Sequence, residues 1–220
     1  MAQIEERTEP FLQSRAQVFV LPVNSTGNLL DRVSNRCKSL YPDNHHAYRQ
    51  ACQRGELPAG SLLMHKRQRE HSGLAVASNR NNPDYIANLL VSDHPYHPMR
   101  RLWLETSLQA LAEALMRPIR YEGIRHIAMH CQPLIYTDHH DTDHHAHKKG
   151  KNSISLAPEL VVSELANRQL QTHHMAEHQM AKLGVVPVMR WKEDIKPIIV
   201  RVLSPLPKLR VDLHLPKHLA

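Results

Sequence analysis

The sequence predicts a layered α/β domain. Short apolar runs of strand length recur at residues 16–23, 85–91 and 124–129. Segments with helical periodicity fall between them, at 31–40, 43–54 and 99–116. Strands that alternate with helices build a sheet covered by helices on its faces.

Taken in order, residues 1–15 are polar and read as an arm or an edge strand. Residues 16–23 are apolar and end at Asn24, as a buried strand does. Leu30, Val33, Cys37 and Leu40 follow the spacing of an amphipathic helix, which Pro42 ends. Asp43 or Asn44 caps a second helix through Arg54, and Gly55 closes it. Strands are expected at 61–65, 73–78 and 85–91, with a turn at 79–84. Leu102, Leu104, Leu108, Leu111 and Leu115 trace one stripe along a long helix over 99–116. A buried strand follows at 124–129, then a mostly helical stretch over 155–183 with Pro158 in its first turn, then a strand at 196–203. The alternating segment 209–215 is expected to pair as an edge strand. The organisation is therefore an arm (1–15), a domain (16–203) with a His-rich insertion (137–151), and a Pro-rich tail (204–220).

Composition narrows the classes. The 220 residues are 41% hydrophobic and 22% charged, as in a globular protein, with a mean hydropathy of −0.48. Apolar runs are too short for a membrane span, and the polar start is no signal peptide. Cys37, Cys52 and Cys131 are odd in number and far apart, so neither a disulfide framework nor a zinc finger is indicated, and a reducing cytoplasm is the natural compartment. The net charge is +7, with 18 His besides. Such a balance suits a polyanionic partner such as nucleic acid, or serves as a solubilising surface.

The stretch 20–60 carries a resemblance. It runs through Pro22-Val23-Asn24, Ser25-Thr26-Gly27, Tyr41-Pro42-Asp43-Asn44, Ala47-Tyr48, Ala51-Cys52, Gly55-Glu56 and Pro58-x-Gly60. Ile86-Ala87-Asn88-Leu89-Leu90, His94 with Pro98, Leu104-Glu105 with Leu108, and Ile124-Arg125-His126-Ile127-Ala128 continue it in order over residues 10–130. The set resembles the macrodomain, specifically its DarG-type DNA ADP-ribosyl glycohydrolase branch. The resemblance implies a mixed central sheet flanked by helices and a cleft for ADP-ribose.

Departures from the family pattern concentrate where that ligand would sit. Glu9-Pro10 stands where the family has a Gly-Asp pair whose Asp contacts adenine. Asn24 matches the asparagine that approaches the distal ribose, while Leu21 replaces its companion. Gly27 is retained, but Leu30 and Arg32 replace glycines of the first phosphate loop, and Asp31 replaces the lysine given a catalytic role in the DNA-directed branch. The second phosphate loop lacks glycine through 130–137. Glycine lets backbone N–H groups approach an anion closely, and bulkier residues obstruct that.

The candidate ligand-binding residues are thus Asn24, Gly27 and Arg32, the last through a charge-assisted phosphate contact. Asp31 is the catalytic candidate if it activates water, or else a helix N-terminal acid; His130 is a second acid–base candidate at a strand end. Lys66, Arg67, Arg69, Arg100, Arg101, Lys148 and Lys149 would contact nucleic-acid phosphates if one groove joined them. The run at 138–151 and the trio His173, His174 and His178 are rich in metal-ligating groups but lack defined metal-site spacing, so no metal and no cofactor is expected. Two functions follow. One is a pseudo-macrodomain, with ADP-ribose binding weak or lost, serving as a structural or recruiting subunit beside protein partners in a larger and nucleoprotein-type assembly. The other is an ADP-ribose-recognising macrodomain or glycohydrolase acting on modified DNA or protein.

Overall fold

The computed structural model describes residues 1–67, 83–135 and 189–217, all within one compact unit. The strand expected at 73–78, the helical stretch at 155–183, the His-rich segment, His173, His174, His178, Arg69, Lys148 and Lys149 lie outside the described residues.

Among the described residues, six strands form one mixed sheet: β1 (Gln3–Arg7), β2 (Val18–Asn24), β3 (Leu62–Lys66), β4 (Tyr85–Ser92), β5 (His126–His130) and β6 (Arg210–His214). Their order is β1-β6-β5-β2-β4-β3; of these described pairs β3–β4 is antiparallel and the others are parallel. β2 and β4 are buried along their whole lengths, which explains why they read as near-continuous apolar runs. Pro22 falls beyond the last β2–β5 pair, Val20 with Met129, so its missing N–H takes nothing from that ladder.

Helices cover both faces. On one face lie α1 (Arg32–Leu40) and α2 (Pro42–Gln53), where Cys37, Tyr48 and Ala51 pack on Phe19, Leu21 and Ile86. Pro42 does two things here. It follows the end of α1, and it sits at the first position of α2, where a missing N–H is harmless. On the other face, α3 (Arg101–Tyr121) buries Leu104, Leu108, Leu111 and Leu115 against Val20, Leu89 and Ile127. The mixed sheet flanked by helices is the arrangement the resemblance implied.

Two segments depart from expectation. Residues 196–203 are not a strand; a π-turn (Trp191–Ile195) leads into helix α4 (Lys196–Leu203). The β-branched run is misleading because Ile195, Ile198, Ile199 and Leu203 share one helical face and are buried in the α3 core. Pro197, in the first turn, is compatible with a helix start. Segment 209–215 is not an edge. As β6 it lies between β1 and β5, with Val211 and Leu213 fully buried. The polar N-terminal segment supplies the edge strand β1 instead, its Ile4 paired with Val211. Parts of both the arm and the tail therefore belong to the sheet.

Candidate functional site

Parallel α/β sheets place their crevice outside the C-terminal ends of the strands, at the point where strand order reverses. Here that point falls at β2, between β5 on one side and β4 on the other. Asn24, Ser92, His130 and His214 end β2, β4, β5 and β6 at this edge, and all four are buried. The crevice beside Asn24 and Ser92 is small, about 110 Å3, and is walled also by Leu30, Asp31, Ser34, His97 and Pro133, among others; His130 and His214 do not line it. Ligand pockets run to about 300–1,000 Å3.

Asn24 sits at a register irregularity between β2 and β4, the kind of bulge that re-aims a side chain. Its amide turns into its own loop. Oδ1 accepts from the Thr26 N–H at 3.0 Å and the Thr26 hydroxyl at 2.7 Å, while Nδ2 donates to the Asn28 carbonyl at 2.5 Å. The Tyr48 hydroxyl donates to the Asn24 carbonyl. Asn35 Nδ2 holds the same loop through the Leu29 carbonyl at 2.8 Å. Gly27 permits this path. Its φ is +79°, and a Cβ there would stand 3.4 Å from the Cys52 Cβ on α2.

Asp31 is the N-cap of α1, accepting from the Ser34 N–H at 2.7 Å. The same oxygen meets His130 Nε2 at 3.0 Å, bridging the first loop to β5. Burial would raise the Asp31 carboxyl, but the His130 contact and the Ser34 N–H outweigh it and hold it below the usual carboxylate range. Of the two roles open to Asp31 in sequence, the helix-end acid is the one the geometry displays. A depressed, doubly engaged carboxylate is also a weak base toward water.

Behind His130, Phe11 packs its ring 5.4 Å from His130, 5.5 Å from His214 and 4.6 Å from Phe19. His130 and His214 are register partners. His214 Nδ1 donates to the Glu9 carbonyl at 2.9 Å, and its buried Nε2 has no partner among the described residues. Burial pushes the His214 imidazole below its ordinary value. Sequence reading missed this cluster, since nothing local joins residue 11 to 130 and 214.

The second loop is closed on itself. The Cys131 N–H donates to the His214 carbonyl at 3.0 Å, Leu134 N–H to Cys131 at 3.0 Å, and Ile135 N–H to Gln132 at 3.1 Å. Pro133 has no N–H, and Leu134 is buried. Burial also drives the Cys131 thiol well above its ordinary value.

The remaining candidates are dispersed. Arg32 is exposed on the first turn of α1 and lines neither the crevice nor the cavity beside it. Lys66 bonds Glu122 at 2.7 Å, and Arg67 donates to the Pro83 carbonyl with its guanidinium over the Tyr41 ring. Both stand beside Tyr85, at the start of β4. Arg100, over the Trp103 ring, and Arg101 follow the other end of that strand. Lys66 and Arg67 thus stand at the start of β4, with Lys66 on Glu122 just past the end of α3, while Arg100 and Arg101 stand at the start of α3. No helix among the described residues is long and apolar enough to cross a membrane.

No family model matches the chain. Over 100 residues it is 31% identical to a DNA ADP-ribosyl glycohydrolase of Thermus aquaticus, a match covering 46% of this chain and 25% of that relative's length. Solved structures resemble it over nearly its whole length. The macrodomain of Thermus aquaticus DarG is similar with a TM-score of 0.60 and 20% identity, covering 98% of this chain and all of that one. That of Mycobacterium tuberculosis DarG gives 0.61 and 16%, covering 99% and 100%. Thermosipho africanus DarTG in complex with ADP-ribose gives 0.60 and 17%, covering all of this chain and 43% of that one.

Proposed function

We propose that this chain is a divergent macrodomain of the DarG type acting as a pseudo-macrodomain, a structural or recruiting subunit whose ADP-ribose binding is weak or lost. The observation that carries this reading is the closed second loop. The N–H groups of Cys131, Leu134 and Ile135 bond within the protein and cannot also cradle a pyrophosphate. The in-turned Asn24 amide and the bridged Asp31 support it. Each missing charge-assisted bond forfeits roughly 1.5–3 kcal/mol, and two or three together turn micromolar affinity into millimolar or weaker. The compartment we propose is the cytoplasm, consistent with three free cysteines.

A second reading has its own observation. Asn24 still lines the crevice, and Gly27 the cavity beside it, in a fold whose DarTG neighbour is a complex with ADP-ribose. On that reading the chain recognises an ADP-ribosyl group on DNA or protein, and any enzymatic activity is that of an ADP-ribosyl glycohydrolase working through Asp31. Calorimetric titration with ADP-ribose separates the two. The expected result is no saturation at micromolar ligand and negligible release of ADP-ribose from modified DNA. A dissociation constant near or below about 10 μM, weakened by Asn24→Ala, establishes the second reading instead.

A further inference from the structure

Residues 8–15 join β1 to β2 and pass the ends of β5 and β6 on the way. Within this stretch only Phe11 is buried, its ring seated on Phe19, His130 and His214. Its turn hydrogen bonds are internal: the Gln13 N–H donates to the Pro10 carbonyl at 2.9 Å, and the Ser14 N–H to the Phe11 carbonyl at 3.1 Å. Among the described residues, one hydrogen bond ties the stretch to the sheet, from His214 Nδ1 to the Glu9 carbonyl at 2.9 Å. One ring and one hydrogen bond therefore fasten it, and both rest on a pair of histidines that are register partners on β5 and β6.

That seat does not suit a charged His214. With Nδ1 donating to Glu9, a second proton must go to Nε2, which is buried and without a partner among the described residues. The charged groups around it are committed elsewhere. On its own strand, Asp212 meets His126 at 2.8 Å and Arg210 at 2.9 Å. On β1, the register partner is the cation Arg7, whose Nε lies 3.7 Å from that same Asp212. On β5, His130 is held by Asp31 at 3.0 Å. Glu9 itself is exposed to solvent. Burial, with His130 adding to it, outweighs the pull of Glu9 and Asp212 toward the charged form and keeps the imidazole below its ordinary value. A buried cation without a partner is relieved by water, and the element that yields most easily to admit water is the one with the fewest fastenings.

We propose that residues 8–15 are a pH-released strap, closed over the ends of β5 and β6 while His214 is neutral and lifted from the sheet when its Nε2 takes a proton. Lifting uncovers the Phe11 ring and the Phe19 ring beneath it, so the acid form presents an apolar surface that the neutral form hides. The strap operates whatever the crevice binds, because neither histidine lines that crevice.

The test is hydrogen exchange of the full chain by mass spectrometry, at about one pH unit above and below the ordinary imidazole value of about 6.5, with rates corrected for the intrinsic effect of pH. The Gln13 and Ser14 amides report the strap, and those of β2 and β4 report the sheet. Strap protection should fall at least about fivefold at the lower pH. Because the opening is local, strap exchange should also be faster than sheet exchange and insensitive to low urea, whereas sheet exchange accelerates with urea. His214→Asn, which keeps a donor for the Glu9 carbonyl but has no second proton to take, should remove the pH response. His65→Asn, on β3, should retain it. Phe11→Ala should leave the strap open at both values and, by reciprocity, raise the NMR titration of His214 toward about 6.5. The proposal is overturned if strap protection is the same at both pH values, if strap and sheet share one exchange rate and one urea dependence, if His214→Asn keeps the wild-type response, or if Phe11→Ala leaves the His214 titration where it was.

Discussion

Two neighbouring concavities share the wall made by Leu29, Leu30 and Pro95, and they treat their polar groups in opposite ways. At the strand ends, Asn24 bonds its own loop, Asp31 bonds Ser34 and His130, and the backbone of 131–135 bonds itself and the His214 carbonyl. In the outer cavity, Lys38 and Arg49 have no carboxylate beside them among the described residues. A polar group committed to the fold holds structure together and is withdrawn from ligands. One left uncommitted contributes little to stability and keeps its interaction for a partner. The position of a cleft within a fold family therefore does not tell which side of the loop remains available for binding.

The largest expected contrast is in stability. Asp31→Ala removes a helix cap and leaves His130, only 3% exposed, without its carboxylate; the expected cost is about 3 kcal/mol by urea denaturation. Lys38→Gln, by comparison, should stay within about 0.5 kcal/mol. If the two substitutions cost the same, the distinction between committed and free groups fails. Gly27→Ala should come next. It forces a side chain to φ +79° against Cys52 and should cost about 1–2 kcal/mol, read as a lower midpoint at unchanged slope.

The pH dependence of stability isolates the buried histidine behind the crevice. The folded His214 has a value below its unfolded one of about 6.5, so between the two values the unfolded chain binds more protons. Its contribution is complete above the unfolded value and declines as pH falls through it toward the folded value. His214→Asn, which keeps a donor near the Glu9 carbonyl, should flatten that decline between pH 7 and 5. Asp31 acts in a lower window. Its contribution is complete above about pH 3.9 and is lost as pH falls through its depressed folded value. An unchanged profile in His214→Asn would assign the acid sensitivity to other groups.

The smallest effect is expected at the shared wall. Leu30 is 53% exposed, so Leu30→Ala should change stability by no more than about 0.5 kcal/mol. It should also fail to restore ADP-ribose binding, because the loop at 131–135 stays closed. Tight binding by Leu30→Ala would identify that side chain, rather than the closed loop, as the obstacle.

Much of this molecule follows from local pattern. The apolar runs of β2 and β4, the leucine stripe of α3, Pro42 between α1 and α2, and Asp31 as a helix-end acid are visible because period and capping are properties of neighbouring residues. The motif order over 10–130 likewise pointed to the fold and to Asn24 and Gly27, and the strand-end position to His130. Tertiary packing settled the rest. The β-branched residues of 196–203 became a helix because their apolar face meets α3, and 210–214 became an interior strand because residues 3–7 cover its outer side. The Asp31–His130 bridge, the Phe11 contact with both histidines, and the gathering of Lys38, His45 and Arg49 around one cavity join residues from different elements. No window of sequence contains them, because burial and charge pairing are set by what the folded chain brings close in space.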